Sequence, residues 1–453
     1  MNALLVHGWR PLVSLAVTAA VYVLAPSAEP LRTGLALFAL IGSLWMTQAL
    51  HISVTALLVP LLCVLAGVFT VKEALASFAN PVIFLFLGGF ALAAALARHC
   101  LDRALAIGVL RLARGRRALA FVLLFALTAA LSMWISNTAT AAMMLPLALG
   151  LLQRQAPNGE EEGGAELRDR VFVLLGLAYS ASIGGIGTLV GSPPNAIAAA
   201  QAGIGFAQWL RIGLPMVGVL LPLMVGVLYL LLRPSLAGRS EVPHERFAWT
   251  GPRLAAIVIF GLTVIGWVGS GPLSRLLGVE ADFDTLVALA AIAALFVTRT
   301  LRWDDLENGA NWGVLLLFGG GLALSHMMGS TGASRFLADQ LVVFVQGAPP
   351  LLLLVAVVAF VVMLTELVSN TASAALLVPI FLSVSGSLGM SPVALSAAIA
   401  VSASCAFMLP VATPPNAIVY GTGEVPQGWM MRCGLVLNLV CIAVISAAVS
   451  IAL

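Results

Sequence analysis

A chain of 453 residues that is 61% hydrophobic and 9% charged cannot build a water-facing surface; soluble domains carry about 25% charged residues. The composition excludes a soluble globular protein and calls for a polytopic helical membrane protein, and because the apolar runs are continuous it also excludes the alternating pattern of a membrane β-barrel. The net charge of +3 says little about partners, and beyond the lipid bilayer no macromolecular ligand such as nucleic acid is expected.

In chain order, apolar segments of about 17–22 residues fall near 11–27, 31–49, 53–70, 81–98, 169–188, 212–232, 252–271, 283–298, 312–329, 391–412 and 434–452. They predict eleven transmembrane helices. The first is read as a retained span, because no small-residue cleavage site of the signal-peptide type accompanies it. Two further apolar stretches, 118–153 and 349–386, each carry a polar centre: Ser132 to Thr140 in one and Thr365 to Ser373 in the other. Irregular backbone at membrane depth is tolerated only where protein or water surrounds it. Both stretches are therefore expected to be re-entrant hairpins. The expected division is scaffold helices over 1–80, a first repeat core over 81–210 with hairpin 118–153 and broken helix 169–202, and further scaffold over 211–300. A second core follows over 301–430, with hairpin 349–386 and broken helix 391–420, and then a last helix over 431–453.

Positive charge orients this chain. With the N-terminus inside, 17 of the 22 Lys and Arg residues lie on the cytoplasmic side. That predicts a multi-pass protein of the cell inner (plasma) membrane, with hairpin 118–153 on the cytoplasmic side and hairpin 349–386 on the outer side. Cys63, Cys100, Cys405, Cys433 and Cys441 show no paired spacing and read as small packing residues. The loop Pro157–Arg170, with Glu160-Glu161-Glu162, reads as a solvated tether without chemistry.

The two halves repeat one another. Gly88-Gly89 matches Gly320-Gly321, Ser136-Asn137-Thr138-Ala139 matches 369–372, Ser192-Pro193-Pro194-Asn195-Ala196-Ile197 matches 413–418, and Trp209 matches Trp429. The matched helices lie an odd number of crossings apart, so the copies point in opposite directions. Inverted-topology repeats of this kind are typical of secondary transporters, whose site lies between the repeats.

Pro-Pro cannot continue a helix interior, so Ile186–Asn195 and Leu409–Asn416 break their spans. Each break frees carbonyls, which are hard ligands suited to Na+, and amides, which suit an anion at a helix N-terminus. Ser136, Asn137 and Thr138, like Ser369, Asn370 and Thr371, can cap the following half-helix or face a ligand. No Lys or Arg lies in either tip or break. A dianion there would need bound cations, two of which would balance it. Glu366, the one acid within a hairpin, can bind a cation or orient the tip by hydrogen bonding. His326 reads as an interfacial or packing residue. No H-E-x-x-H, phosphate loop or Ser–His–Asp set lies at membrane depth, so no enzyme is expected.

With these motifs in place, the chain resembles the divalent-anion:sodium symporter family, whose marks are two Ser-Asn-Thr tips and their Pro-Pro-Asn breaks. The run Ala403–Val419 also fits that family's linear signature. The resemblance implies one Na+ held by Ser132, Ser136, Asn137 and the carbonyl of Gly191, and a second by Thr365, Ser369, Asn370 and the carbonyl of Ala412. It implies substrate carboxylates at Ser136, Asn137, Thr138, Ser369, Asn370 and Thr371, with Ser192 and Thr413 beside them. It further implies a homodimer working as an elevator, with Na+ as coupling ion. Two tips ending in Thr lean towards C4-dicarboxylates such as succinate, malate and fumarate, and a dicarboxylate exchanger or a sulfate or citrate transporter of the same fold is the alternative.

Overall fold

The computed structural model describes residues 9–152, 164–235, 247–279, 281–344, 349–386 and 389–452, and every regular element among them is a helix. Arg154, Arg239, Arg246 and Glu160-Glu161-Glu162 lie outside the described residues. The chain opens with α1 (Trp9–Leu24), α2 (Leu31–Thr47) and α3 (Ile52–Leu65). A short α4 (Val71–Ala76) and a 3-10 turn lead to α5 (Pro81–Arg98) and α6 (Leu101–Arg111). The first apolar stretch with a polar centre is a helix–turn–helix pair, α7 (Arg117–Ser132) and α8 (Asn137–Leu152). Then come α9 (Gly164–Gly185), α10 (Pro193–Ala202) and α11 (Phe206–Leu232).

The second half repeats this order. After α12 (Gly251–Val268), α13 (Ser270–Leu277), α14 (Phe283–Val297) and α15 (Trp303–Gly309) come α16 (Trp312–Ser330) and α17 (Ala333–Phe344). The second pair is α18 (Pro350–Thr365) and α19 (Asn370–Ser385), followed by α20 (Pro392–Ala403), α21 (Pro414–Tyr420) and α22 (Gln427–Ala452). Among the described residues, five helices are long and apolar enough to cross a bilayer, and nine shorter ones of 10–17 residues are apolar too. The short helices α4, α6, α13, α15 and α17 have no counterpart among the predicted spans. Residues 210 and 211 both lie within α11, and 430 and 431 both lie within α22.

Local chemistry sets the helix starts. Asn80 caps α5 by accepting the Val82 N–H at 3.0 Å, with Pro81 at the first turn, and Asn311 caps α16 through the Val314 N–H at 3.3 Å. Trp45 donates its indole N–H to Ile52 O (3.2 Å), and Trp267 donates to Asp284 O (2.9 Å). Trp45 thus ties the end of α2 to the start of α3, and Trp267 ties the end of α12 to the start of α14, past the intervening α13, so the duplication extends beyond the sequence motifs.

The core is centred on α9. Residues 171–192 are buried without exception, and α7, α8, α11 and α21 pack around that helix. The halves are interlocked: α10 packs on α19 and α20, while α21 packs on α8. Residues 164–170 are not a tether but the first turns of α9. Asp169 is buried there beside Arg117 at 3.2 Å and accepts the Ser235 N–H at 2.6 Å, because a helix base pressed against α7 cannot leave a carboxylate unpaired. Cys63, Cys405, Cys433 and Cys441 are buried packing residues, whereas Cys100 is exposed in a left-handed turn (φ 53°) between α5 and α6. His326 stacks on Phe69 with ring centroids 4.6 Å apart.

Candidate functional site

The tip of the first pair, residues 133–136, sets Ser132 at the end of α7 against Asn137 at the start of α8. Ser132 Oγ lies 2.7 Å from Asn137 Oδ1 and 2.6 Å from Ala181 O on α9. A serine hydroxyl has one proton to give, so one of these two oxygen contacts goes without it. Among protein groups alone, the Asn137 amide is satisfied with its nitrogen, not its oxygen, towards this cluster. Turned so that its nitrogen faces the cluster, its two protons have three acceptors within reach, Ser132 Oγ (2.7 Å), Gly191 O (3.2 Å) and Ala181 O (3.2 Å). Turned the other way, four oxygens converge. Glycines make this room: a Cβ at Gly185 would sit 2.4 Å from Asn137 Oδ1, and one at Gly191 would sit 2.9 Å from Ser132 O.

The second pair repeats the arrangement. Thr365 Oγ1 lies 2.6 Å from Asn370 Oδ1 and 2.9 Å from Ala403 O, again with one proton for two acceptors. Ala403 stands to Thr365 as Ala181 stands to Ser132. Both clusters are built of neutral hydroxyl, amide and carbonyl oxygens, the donor set that suits a hard monovalent cation rather than a soft metal. Among the described residues no group of three His, Cys, Asp or Glu side chains could hold a metal ion.

The breaks lie directly behind the tips. In the first, the Thr188 hydroxyl donates to Met133 O in the tip and accepts the Gly191 N–H (3.2 Å), and the Trp209 indole donates to Ile186 O (2.9 Å). In the second, Glu366 accepts the N–H groups of Phe407 (2.7 Å), Met408 (2.9 Å) and Leu409 (3.1 Å) and the Asn438 amide (2.7 Å). The carboxylate is 4% exposed and orients the tip against the break. Tyr179, from the first half, donates its hydroxyl to Phe407 O at 2.7 Å. In each break the Asn of Pro-Pro-Asn reaches back to the end of the preceding half-helix. Asn195 Nδ2 donates to Gly185 O (2.8 Å) and Thr188 O (2.7 Å), and Asn416 Nδ2 donates to Ala406 O (3.2 Å) and Leu409 O (3.0 Å).

The sequence-derived candidates divide. Ser132, Asn137 and Gly191 come together, as do Thr365 and Asn370. Ser136 and Thr138 are exposed at their tip, Ser136 Oγ accepting the Ala139 N–H at 3.3 Å, and Ser369, Asn370 and Thr371 are half-buried at theirs. Ser369 begins α19 without a side-chain cap bond, which leaves its hydroxyl for other work. Ser192 and Thr413 hold matching positions but behave differently: Ser192 Oγ turns to Ser404 Oγ at 3.3 Å, whereas Thr413 Oγ1 caps α21 through the Asn416 N–H at 3.3 Å. Ala412 sits in the turn of the second break with its N–H bonded to Leu409 O at 3.2 Å, and the carbonyl found beside Thr365 is that of Ala403. The carbonyls of Ala181 and Ala403 and the Thr188 hydroxyl were not anticipated. Their one signal in the sequence is that 181 and 403 differ by the same offset as the breaks, to within a residue.

A family profile described as CitMHS, citrate transporter, matches residues 43–385. A Haemophilus influenzae protein described as an uncharacterized transporter is 50% identical over 422 residues, covering 92% of this chain and 90% of its own. A Staphylococcus saprophyticus protein described as a sodium-dependent dicarboxylate transporter is 33% identical over 434 residues, covering 89% of this chain and 83% of its own. Among solved structures, the YdaH transporter of Alcanivorax borkumensis aligns with a TM-score of 0.58 at 16% identity, over 99% of this chain and 97% of that one. That likeness bears on the fold.

Proposed function

The chain belongs to the citrate-transporter (CitMHS) family and is a membrane transporter rather than an enzyme; from that premise we propose that it carries C4-dicarboxylates such as succinate, malate and fumarate together with Na+. The observation that carries the reading is the paired oxygen cluster, Ser132–Asn137–Ala181–Gly191 and Thr365–Asn370–Ala403: the Thr365 hydroxyl has one proton for two acceptors, and the Ser132 hydroxyl is in the same position when the Asn137 oxygen faces inward. A cation resolves that shortage. Ser136, Ser369 and the Ala412 carbonyl are the remaining ligands the family resemblance supplies. The dianion would meet Ser136, Asn137, Thr138, Ser369, Asn370 and Thr371, with Ser192 and Thr413 behind, and the Na+ ions would neutralise it where no Lys or Arg stands. The sodium-dependent relative supports the ion.

The paired helices act as re-entrant hairpins in inverted repeats, and the two cores move as an elevator against the scaffold helices of 1–80 and 211–300, in a homodimer of the inner (plasma) membrane with its N-terminus cytoplasmic. Support for movement lies in the contact registers. A Cβ at Gly89 would meet Val190 in the first break at 2.8 Å, whereas at the matching Gly321 it would meet Ala375 at 3.3 Å, about a turn past the second tip. The matched Gly89 and Gly321 thus face unmatched parts of their repeats, as expected when one assembly rests at one end of its travel, whereas the adjacent Gly88 and Gly320 keep matched neighbours, Ala288 and Ala56.

Citrate is the second reading, favoured by the family description. The test is uptake of labelled succinate into proteoliposomes, with citrate, sulfate and glutamate as competitors. Uptake collapses when choline replaces Na+ and is abolished in Asn137→Ala and Asn370→Ala. Persistence in choline would instead establish an exchanger, and stronger competition by citrate would move the substrate to tricarboxylates.

A further inference from the structure

Asn195 and Asn416 are fully buried, and the oxygen Oδ1 of each meets no donor among the described residues. Their amide nitrogens are fully used. Each donates to a carbonyl at the end of the half-helix before the break and to another three residues on: Gly185 and Thr188 in the first repeat, Ala406 and Leu409 in the second. These pairs match residue for residue at an offset of 221. A helix that stops leaves its last carbonyls without partners, and the two residues that follow the break, Pro193-Pro194 or Pro414-Pro415, have no N–H to offer. The asparagine is the first residue past each break able to donate, and it does so with its side chain.

The segments it holds are those that shape the oxygen clusters. Gly185, whose carbonyl Asn195 ties, lies under the Asn137 amide. Thr188, the other tied residue, accepts the N–H of Gly191, whose carbonyl faces that amide. In the second repeat, Asn416 ties 406–409 from one side while Glu366, next to Thr365, grips the amides of 407–409 from the other. We propose that Asn195 and Asn416 are positioning residues for the two Na+ ions, each fixing the helix end against which its repeat's cluster is set. The inference rests on the Na+-coupled reading.

The test replaces each with the isosteric, non-donating leucine. Purified protein is titrated with NaCl at constant ionic strength, choline balancing, and the Na+ concentration giving half-maximal rise in melting temperature is read beside uptake. In Asn195→Leu and Asn416→Leu that midpoint moves up about tenfold, the effect of losing one buried hydrogen-bonding set, and the uptake midpoint moves with it. Where a leucine variant does not fold, Asn→Ser is titrated and shifts in the same direction. Variants that melt lower in choline but keep the wild-type Na+ midpoint would show the asparagines to be helix caps only and would overturn the inference. A wild-type protein that Na+ neither stabilises nor drives would instead overturn the Na+ reading, and this inference with it.

Discussion

In the first repeat residues 185–192 are all buried, and Trp134 of the tip lies against Phe260 at 5.2 Å and parallel to Trp267 at 6.4 Å. In the second, the residues matching Val190 and Trp134 are Val411, 83% exposed, and Leu367, 73% exposed. The wiring behind the two tips is nevertheless the same: hydroxyl to asparagine, hydroxyl to a helix-end carbonyl, and Pro-Pro-Asn back to the half-helix. Conserved wiring with unequal burial means that the clusters belong to the repeats themselves, while exposure depends on where each repeat rests against its neighbours. The fastening follows exposure. The covered break is held by neutral groups, the Thr188 hydroxyl and Trp209 indole, whereas the open one is held by the Glu366 carboxylate, whose charge-assisted bonds are roughly twice as strong.

The most drastic way to break this comparison is to lock the registers. A Gly321→Cys/Val411→Cys pair, apart in this structure, is expected to cross-link in membranes under mild oxidation and to arrest uptake until reduced. Failure to cross-link in actively transporting vesicles would mean that the second repeat never takes the register of the first. A smaller effect should come from Glu366→Gln, which replaces one accepting oxygen with an amide NH2 that faces backbone donors. It should cost about 2–3 kcal/mol and lower the melting temperature in detergent, and an unchanged melt would remove the carboxylate from the account of the open break. The smallest contrast separates Ser192 from Thr413. Thr413→Ala loses a helix cap and should cost about 1 kcal/mol, while Ser192→Ala, which caps nothing, should cost under about 0.5 kcal/mol. Equal melts would contradict the different roles of the two hydroxyls.

Much of this was legible in the sequence because hydrocarbon makes polarity conspicuous. Ser-Asn-Thr amid apolar residues, and Pro-Pro inside a span, have few uses there, and their duplication gave the order of the halves. The short helices α4, α6, α13, α15 and α17 were not legible: they are too short to read as spans and their mixed polarity resembles loops. Ala181 and Ala403 were invisible for a different reason. They contribute carbonyls, which every residue has, so only the fold can say which ones point into a cluster. Asp169 was hidden by its neighbours, since an acidic, glycine-rich stretch reads as solvated until its last residues are seen packed under α7.

The central claim is that each repeat holds one Na+ through its own hydroxyl–asparagine cluster. The direct measurement is the number of radioactive sodium ions bound per chain at saturation, in the presence of succinate, for the purified wild type, Asn137→Ala, Asn370→Ala and the double variant. The account predicts that each single variant binds one ion fewer than the wild type and that the double variant binds two fewer. The same count in all four proteins would contradict it.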